Sequence, residues 1–294
     1  MFAVSMKQTL TIVNTNGLSL ETRLSLETFL ERHAIQVEDI CQLDCAVDVQ
    51  FTGTIPDAEL NRWTEIREVD YAVQSTETRL KKLLVTDMES TIVENEFLDD
   101  MAVFCEVGEA VKAITACAMN GEIDFAESLC ERVRLLAGQD VGILDRAYQN
   151  LRWMPGAQEM FEGLKAGGIR TIIVSGGFKF FTSRVRAILG ADEDFSNDLV
   201  IENNTLTGEP TLPVSGREEK LRILQSTATA MGISLTDTIA IGDGANDLPM
   251  LQAAGLGVAF HAKPSVSAQA KCRVRYSDLR AILYFMGIAQ ASKL

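Results

Sequence analysis

LLVTDMESTIVENE, residues 83–96, is the stretch on which the fold turns. Apolar and small residues lead into Asp87. Glu89 follows two positions later, then Ser90 and Thr91. A short apolar run of this kind suits a strand buried on both faces. In extended backbone, side chains two apart share a face, so Asp87 and Glu89 point together. Two carboxylates at a strand end can divide labour. One serves as nucleophile and the other moves the proton, provided their surroundings separate their pKa values. The plain competitor is a surface turn rich in acids. The apolar lead and the Ser-Thr that follows weigh against it.

The same pattern recurs downstream. RTIIVSGG (170–177), DTIAIGDGAND (237–247) and GLGVAF (255–260) each contain a short apolar run. Helical periodicity fills AQEMFEGLKAGG (157–168) and REEKLRILQSTATAMG (217–232). Strands alternating with helices predict an α/β fold with a doubly wound parallel sheet, whose ligands bind beyond the carboxyl ends of the strands. Asp87, Ser175 and Asp243 fall there. Residues 95–150 break the alternation with a helical stretch, expected to form a cap over the site. Asp243 and Asp247 flank a Gly-rich turn and suit Mg²⁺, which prefers oxygen ligands. The hydroxyl and N–H groups of the SGG segment suit phosphate oxygens. Lys220 offers a fixed cation for a negative transition state.

Residues 1–80 read as a separate small α/β unit. TLTIVN (9–14), IQVEDICQ (35–42), CAVDVQF (45–51) and YAVQST (71–76) are predicted strands. LETRLSLETFLERH (20–33) and PDAELNRWTEIREV (56–69) are predicted helices, the second opening with a proline suited to a first helical turn. The order βαββαβ predicts a ferredoxin-like unit. It carries no cluster of catalytic residues, and reads as a packing or regulatory module ahead of the main domain at 81–294.

Composition narrows the function. The 294 residues carry a formal net charge of -14, with no basic stripe for nucleic acid. Any phosphate site must therefore be built locally. No run of eighteen apolar residues predicts a membrane span, and the first residues lack a leader pattern, so a cytoplasmic protein is expected. Two histidines and six scattered cysteines without a CxxC argue against zinc and for free thiols. The expected partner is a small-molecule substrate. Nucleic acid and membrane are not expected, and a homodimer is the one assembly foreseen.

DMEST, SGG, Lys220 and GDGAND resemble, in order, the four motifs of the haloacid dehalogenase superfamily of phosphotransferases. The likeness sharpens in DMESTIVENEFLDDMA, MNGEIDFAESLCERV, SGGFKFF and GDGANDLPMLQAAGLGVAFHAKP. These stretches are similar to the bacterial phosphoserine phosphatase family across nearly all of 83–264. An ACT-like unit ahead of the catalytic domain also fits that family.

The resemblance implies a set of roles. Asp87 would be the nucleophile, forming an aspartyl phosphate. Mg²⁺ would be held by Asp87, the backbone carbonyl of Glu89 and Asp243, with Asp247 in support. Ser175, Gly176 and Lys220 would grip the phosphoryl group, and Asn246 would help order the site. In the cap, Glu96 would meet the ammonium of phosphoserine and Arg132 its carboxylate, with Met119 and Phe125 shaping the pocket. Taken alone, Glu96 and Arg132 would read as surface ion-pairing residues.

Glu89 departs from the family pattern DxDST, in which the second acid is an aspartate acting as general acid and base. Its extra methylene alters the reach, and slow dephosphorylation is expected. Two alternatives stand beside a phosphoserine phosphatase. One is a phosphotransferase, or a phosphatase for another small phosphomonoester, with Glu89 as the retuned element. The other is a weakly active amino-acid-binding regulator.

Overall fold

The computed structural model describes residues 7–119 and 122–288. The first part runs β1 (Gln8–Val13), α1 (Leu20–Arg32), β2 (Gln36–Gln42), β3 (Ala46–Thr52), α2 (Asp57–Arg67) and β4 (Asp70–Ser75). The strands stand in the order β2-β3-β1-β4, the ferredoxin-like arrangement expected from βαββαβ. Helix α1 starts where the Ser19 hydroxyl accepts from the Thr22 N–H. Pro56 stands at the capping position of α2, one residue ahead of the helix. Leu10, Ile12, Val49 and Phe51 on the sheet pack with Phe29, Leu30, Leu60 and Trp63 from the helices.

The second part opens with β5 (Leu83–Thr86). Four helices follow: α3 (Phe97–Phe104), α4 (Gly108–Met119), α5 (Phe125–Arg134) and α6 (Gly142–Gln149). Then come α7 (Ala157–Ala166), β6 (Arg170–Phe178), α8 (Lys179–Leu189), β7 (Glu193–Asn197), β8 (Leu199–Glu202) and β9 (Thr205–Pro210). The described residues end with α9 (Arg217–Ala230), β10 (Thr238–Gly242), α10 (Leu248–Ala253), β11 (Leu256–Phe260), α11 (Pro264–Ser267), β12 (Cys272–Val274) and α12 (Ala281–Phe285).

β5 pairs in parallel with β6 on one side and β10 on the other. The chain moves outward through β6 and β7, then returns to the far side of β5 for β10, β11 and β12. The reversal falls between β5 and β10, so their carboxyl ends frame the crevice where such sheets bind ligands. All four residues of β5 and all five of β10 are buried, as the apolar runs predicted.

The helices α3–α6 leave and rejoin the sheet at one clasp. Glu94 N–H donates to Arg152 O and Met154 N–H to Ile92 O, both at 2.9 Å. The β8–β9 hairpin was not read from the sequence. It meets this helical insertion through bonds from Gly138 N–H to Leu206 O and from Val141 N–H to Asn204 O.

The small sheet and the large one are hydrogen-bonded into a single ten-stranded sheet. Their seam is narrow, an antiparallel bridge between Tyr71 on β4 and Arg273 on β12. Asp70 reinforces it, accepting from the N–H groups of Arg275, Tyr276 and Ser277 at 2.7, 3.1 and 2.7 Å. No helix among the described residues is long and apolar enough to cross a membrane.

Candidate active site

Asp87 is the first residue beyond β5, and its N–H donates to Ile241 O on β10. Its Oδ1 accepts from the Met88 N–H at 2.8 Å and meets the Lys220 ammonium at 2.8 Å. Lys220 projects from the first turn of α9 and is 2% exposed. It also donates to Asp247 Oδ1 at 2.6 Å. Asp247 is fully buried, and its Oδ2 accepts from Gly244 N–H at 2.9 Å. Gly242 makes room for it. A Cβ at 242 would stand 2.4 Å from the Asp247 carboxyl carbon. Asp243 completes the group, and oxygens of Asp87, Asp243 and Asp247 all lie within 4.8 Å of one another.

Burial, then the charge of Asp247, holds the Asp87 carboxyl well above its usual range. Asp243 is raised by the same two causes in the same order. Burial works against the Lys220 ammonium, but Asp247 and Asp87 outweigh it and keep the lysine charged. One lysine thus stands against three carboxylates. An oxygen-only set with surplus negative charge fits a hard divalent cation.

Glu89 lies apart from that cluster. Its Oε1 accepts from Phe97 N–H at 2.9 Å, at the start of α3. Its Oε2 receives a long bond, 3.4 Å, from the Ser175 hydroxyl. Burial, then the charge of Glu96, pushes this carboxyl up to about 8. The second glycine of SGG gives the longer acid its space, since a Cβ at Gly177 would stand 2.6 Å from Glu89 Oε2. Ser175 Oγ in turn accepts from Gly177 N–H at 2.9 Å. Ser90 holds φ at 54°, a left-handed turn that carries the chain from the strand end into the loop. Its hydroxyl donates to Glu96 Oε1 at 2.7 Å.

A cavity of about 470 Å³ opens above the strand ends. Asp87, Glu89, Asp243 and Gly176 lie on the sheet side, and Glu96, Phe125, Arg132 and Asn246 are among the other lining residues. Arg132 comes from α5, where its Nε donates to Ser128 O at 3.3 Å. Phe125 opens the same helix and closes on Gly176, where a Cβ would meet its ring at 2.9 Å. Ser175 and Lys220 line a smaller cavity beside it that shares Gly176, Phe125 and Asn246. The Met119 side chain lies outside the described part of the structure.

The site residues named from the sequence are thus brought to one place, apart from the undescribed Met119 side chain. Two contributors were not singled out. Thr91 donates to Asp243 Oδ1 at 3.4 Å, and Lys263 lines the cavity just past β11. The signal for Lys263 was available, because it follows a buried strand end as Asp87 and Asp243 do.

The model of the haloacid dehalogenase-like hydrolases matches residues 84–252. The chain belongs to that family. It is 42% identical over 237 residues to a phosphoserine phosphatase of Archaeoglobus fulgidus, covering 80% of this chain and 67% of that protein. Among solved structures it resembles a probable phosphoserine phosphatase from Vibrio cholerae in unliganded form. There the TM-score is 0.81 at 31% identity, over 96% of this chain and 87% of the other. A further structure, described as a phospho-aspartyl intermediate analogue of phosphoserine phosphatase, gives a TM-score of 0.66 at 39% identity. It covers 70% of this chain and 99% of that one.

Proposed function

We propose that the chain is a Mg²⁺-dependent phosphoserine phosphatase that works through phospho-Asp87. One observation carries the reading. The Asp87 carboxylate, held by Lys220, faces a cavity whose walls also bear Glu96 and Arg132. A zwitterionic phosphomonoester needs a nucleophile at one end, an anion for its ammonium and a fork of donors for its carboxylate. We read the helical insertion α3–α6 as the cap that supplies the last two.

Met88 N–H and Lys220 engage Oδ1 of Asp87, which leaves Oδ2 to attack phosphorus. Lys220, the Ser175 hydroxyl and the Gly176 main chain hold the phosphoryl oxygens as negative charge builds in a loose transition state. The bond from phosphorus to the seryl oxygen breaks, and Glu89 gives its proton to that oxygen. A carboxyl near 8 carries this proton at neutral pH, which suits the acid step. Serine leaves. Glu89, now a carboxylate, takes a proton from water, whose oxygen attacks phosphorus and frees Asp87 and phosphate. Asp87, the Glu89 carbonyl and Asp243 would hold Mg²⁺, with Asp247 behind them. When bound, the ion would offset the charge of the carboxylates and of the transferring group.

A second reading shares these steps up to the phosphoenzyme. One carboxyl oxygen of Glu89 is engaged by the Phe97 N–H, which limits its swing toward a water molecule. An alcohol could then take the phosphoryl group. Phosphate release from O-phospho-L-serine, with Mg²⁺ and with EDTA, tests the first reading. The expected result is release in Mg²⁺ alone. Hydrolysis of other phosphomonoesters without hydrolysis of phosphoserine would contradict it. A phosphorylated product with added homoserine would favour transfer.

A further inference from the structure

The cavity is lined by more acids than bases, so each of its free cations counts. Asp87, Glu89, Glu96 and Asp243 line it, and the whole chain carries -14. The basic side chains on that lining are Arg132 and Lys263. Lys220 lies beside it, already bonded to Asp87 and Asp247. Arg132 has its assignment to the carboxylate end. With Lys220 committed to Asp87 and Asp247, Lys263 is the lining cation left to meet the phosphoryl end of an arriving phosphomonoester.

Lys263 is built differently from an incidental surface lysine. Its N–H donates to Asp243 O at 3.3 Å, which ties it to the loop bearing the carboxylate cluster. Two residues earlier, His261 takes a φ of 42° and its N–H donates to Val274 O on β12. The His261 ring bonds Ser277 O at 2.9 Å through Nε2. The backbone of 261–263 is thereby pinned from two sides. The ammonium of Lys263 makes no hydrogen bond or ion pair among the described residues. Burial raises the carboxyls of Glu96 and Asp243, and Lys263 is near enough to both to oppose that rise in part. The residue is exposed and lines the cavity.

We infer that Lys263 is the positioning cation at the cavity mouth, drawing the phosphoryl end of the anionic substrate past the carboxylates and toward Lys220. This rests on the proposed phosphatase reading and deepens it. A mouth charge acts on capture, so it belongs in KM and in the salt dependence of kcat/KM. It does not act on the bond-breaking step.

The test is steady-state kinetics of the full chain on O-phospho-L-serine in Mg²⁺, with Lys263→Met and Lys263→Arg, across ionic strength. In dilute buffer, Lys263→Met should raise KM roughly tenfold and leave kcat within about twofold. The gap should close toward about 1 M salt, where the screening length falls to about 3 Å. Lys263→Arg should restore KM. A Lys263→Met enzyme with unchanged KM at every salt, or with a lower kcat at unchanged KM, would overturn the inference. Failure of Lys263→Arg to restore KM would do the same.

The substrate reading fails separately. If wild type ignores phosphoserine but hydrolyses another phosphomonoester, the same KM comparison on that ester still decides the role of Lys263. Calorimetric titration with inorganic phosphate in Mg²⁺ gives a readout that needs no turnover. Binding weakened about tenfold in Lys263→Met supports the role, and equal affinity contradicts it.

Discussion

Asp87 and Glu89 sit two residues apart, yet their partners differ completely. Asp87 faces a lysine and two aspartates, whereas Glu89 faces a helix start and a serine hydroxyl. Asp87→Asn should cut phosphate release below about a thousandth of wild type. Asp247 remains to hold Lys220, so thermal unfolding should stay within a few degrees; a collapsed melt would mean that the residue is structural. Glu89→Gln should lower kcat by about 10² to 10⁴, the usual worth of acid–base help. Glu89→Asp should raise turnover, because it restores the aspartate of the family pattern whose reach the extra methylene alters. Equal rates for wild type and Glu89→Gln in a phosphate-release assay would remove Glu89 from the mechanism. At this scale the sequence named the two acids that the structure places on the cavity lining. It did not tell that Glu89 spends one oxygen on the Phe97 N–H, since that contact spans the turn into the insertion.

Among the elements, those with full apolar runs were legible, and those held by a few polar contacts were not. β5 and β10 announce themselves because both faces are buried. β12 is three residues long and meets the small sheet at one bridge, so no periodicity marks it. The β8–β9 turn had a signal that went unread, Asn203 and Asn204 at φ of 49° and 65° between strand-like segments. At the seam, Asp70 is 2% exposed and serves three backbone N–H groups. Asp70→Ala should destabilise by about 1–3 kcal/mol for each donor left without a partner, measured by urea unfolding. Its pH dependence has a definite sign. Burial raises Asp70 above its ordinary 3.8, although the Arg275, Ser277 and Tyr276 N–H groups pull the other way. A raised carboxyl favours folding when protonated. That stabilisation is complete below 3.8 and is lost as pH rises through the folded value. Asp70→Asn cannot titrate, so its stability relative to wild type should rise across that interval. A constant difference between the two would contradict the shift.

The whole molecule is an acidic chain with Lys220 and Lys263 at the site proposed for phosphate. The parallel order of strands was readable, and with it the edge on which the site lies. The joining of the two sheets was not, because one bridge at Tyr71 and scattered polar contacts, such as those of Asp70 with Arg275 N–H and of Gln74 with Phe285 O, carry it. Removing metal with EDTA should abolish turnover, and far-ultraviolet circular dichroism should remain unchanged, since the cluster sits at the strand ends and the apolar core lies beneath. A spectrum that collapsed in EDTA would instead make the metal structural. The most direct measurement is rapid acid quenching of the enzyme with O-phospho-L-serine and Mg²⁺, followed by mass spectrometry of the peptide spanning residues 83–96. A phosphoryl-sized mass increment on Asp87, absent with EDTA and absent in Asp87→Asn, is the predicted result. Phosphate released during the same turnover with Asp87 unmodified at every quench time would contradict the covalent route.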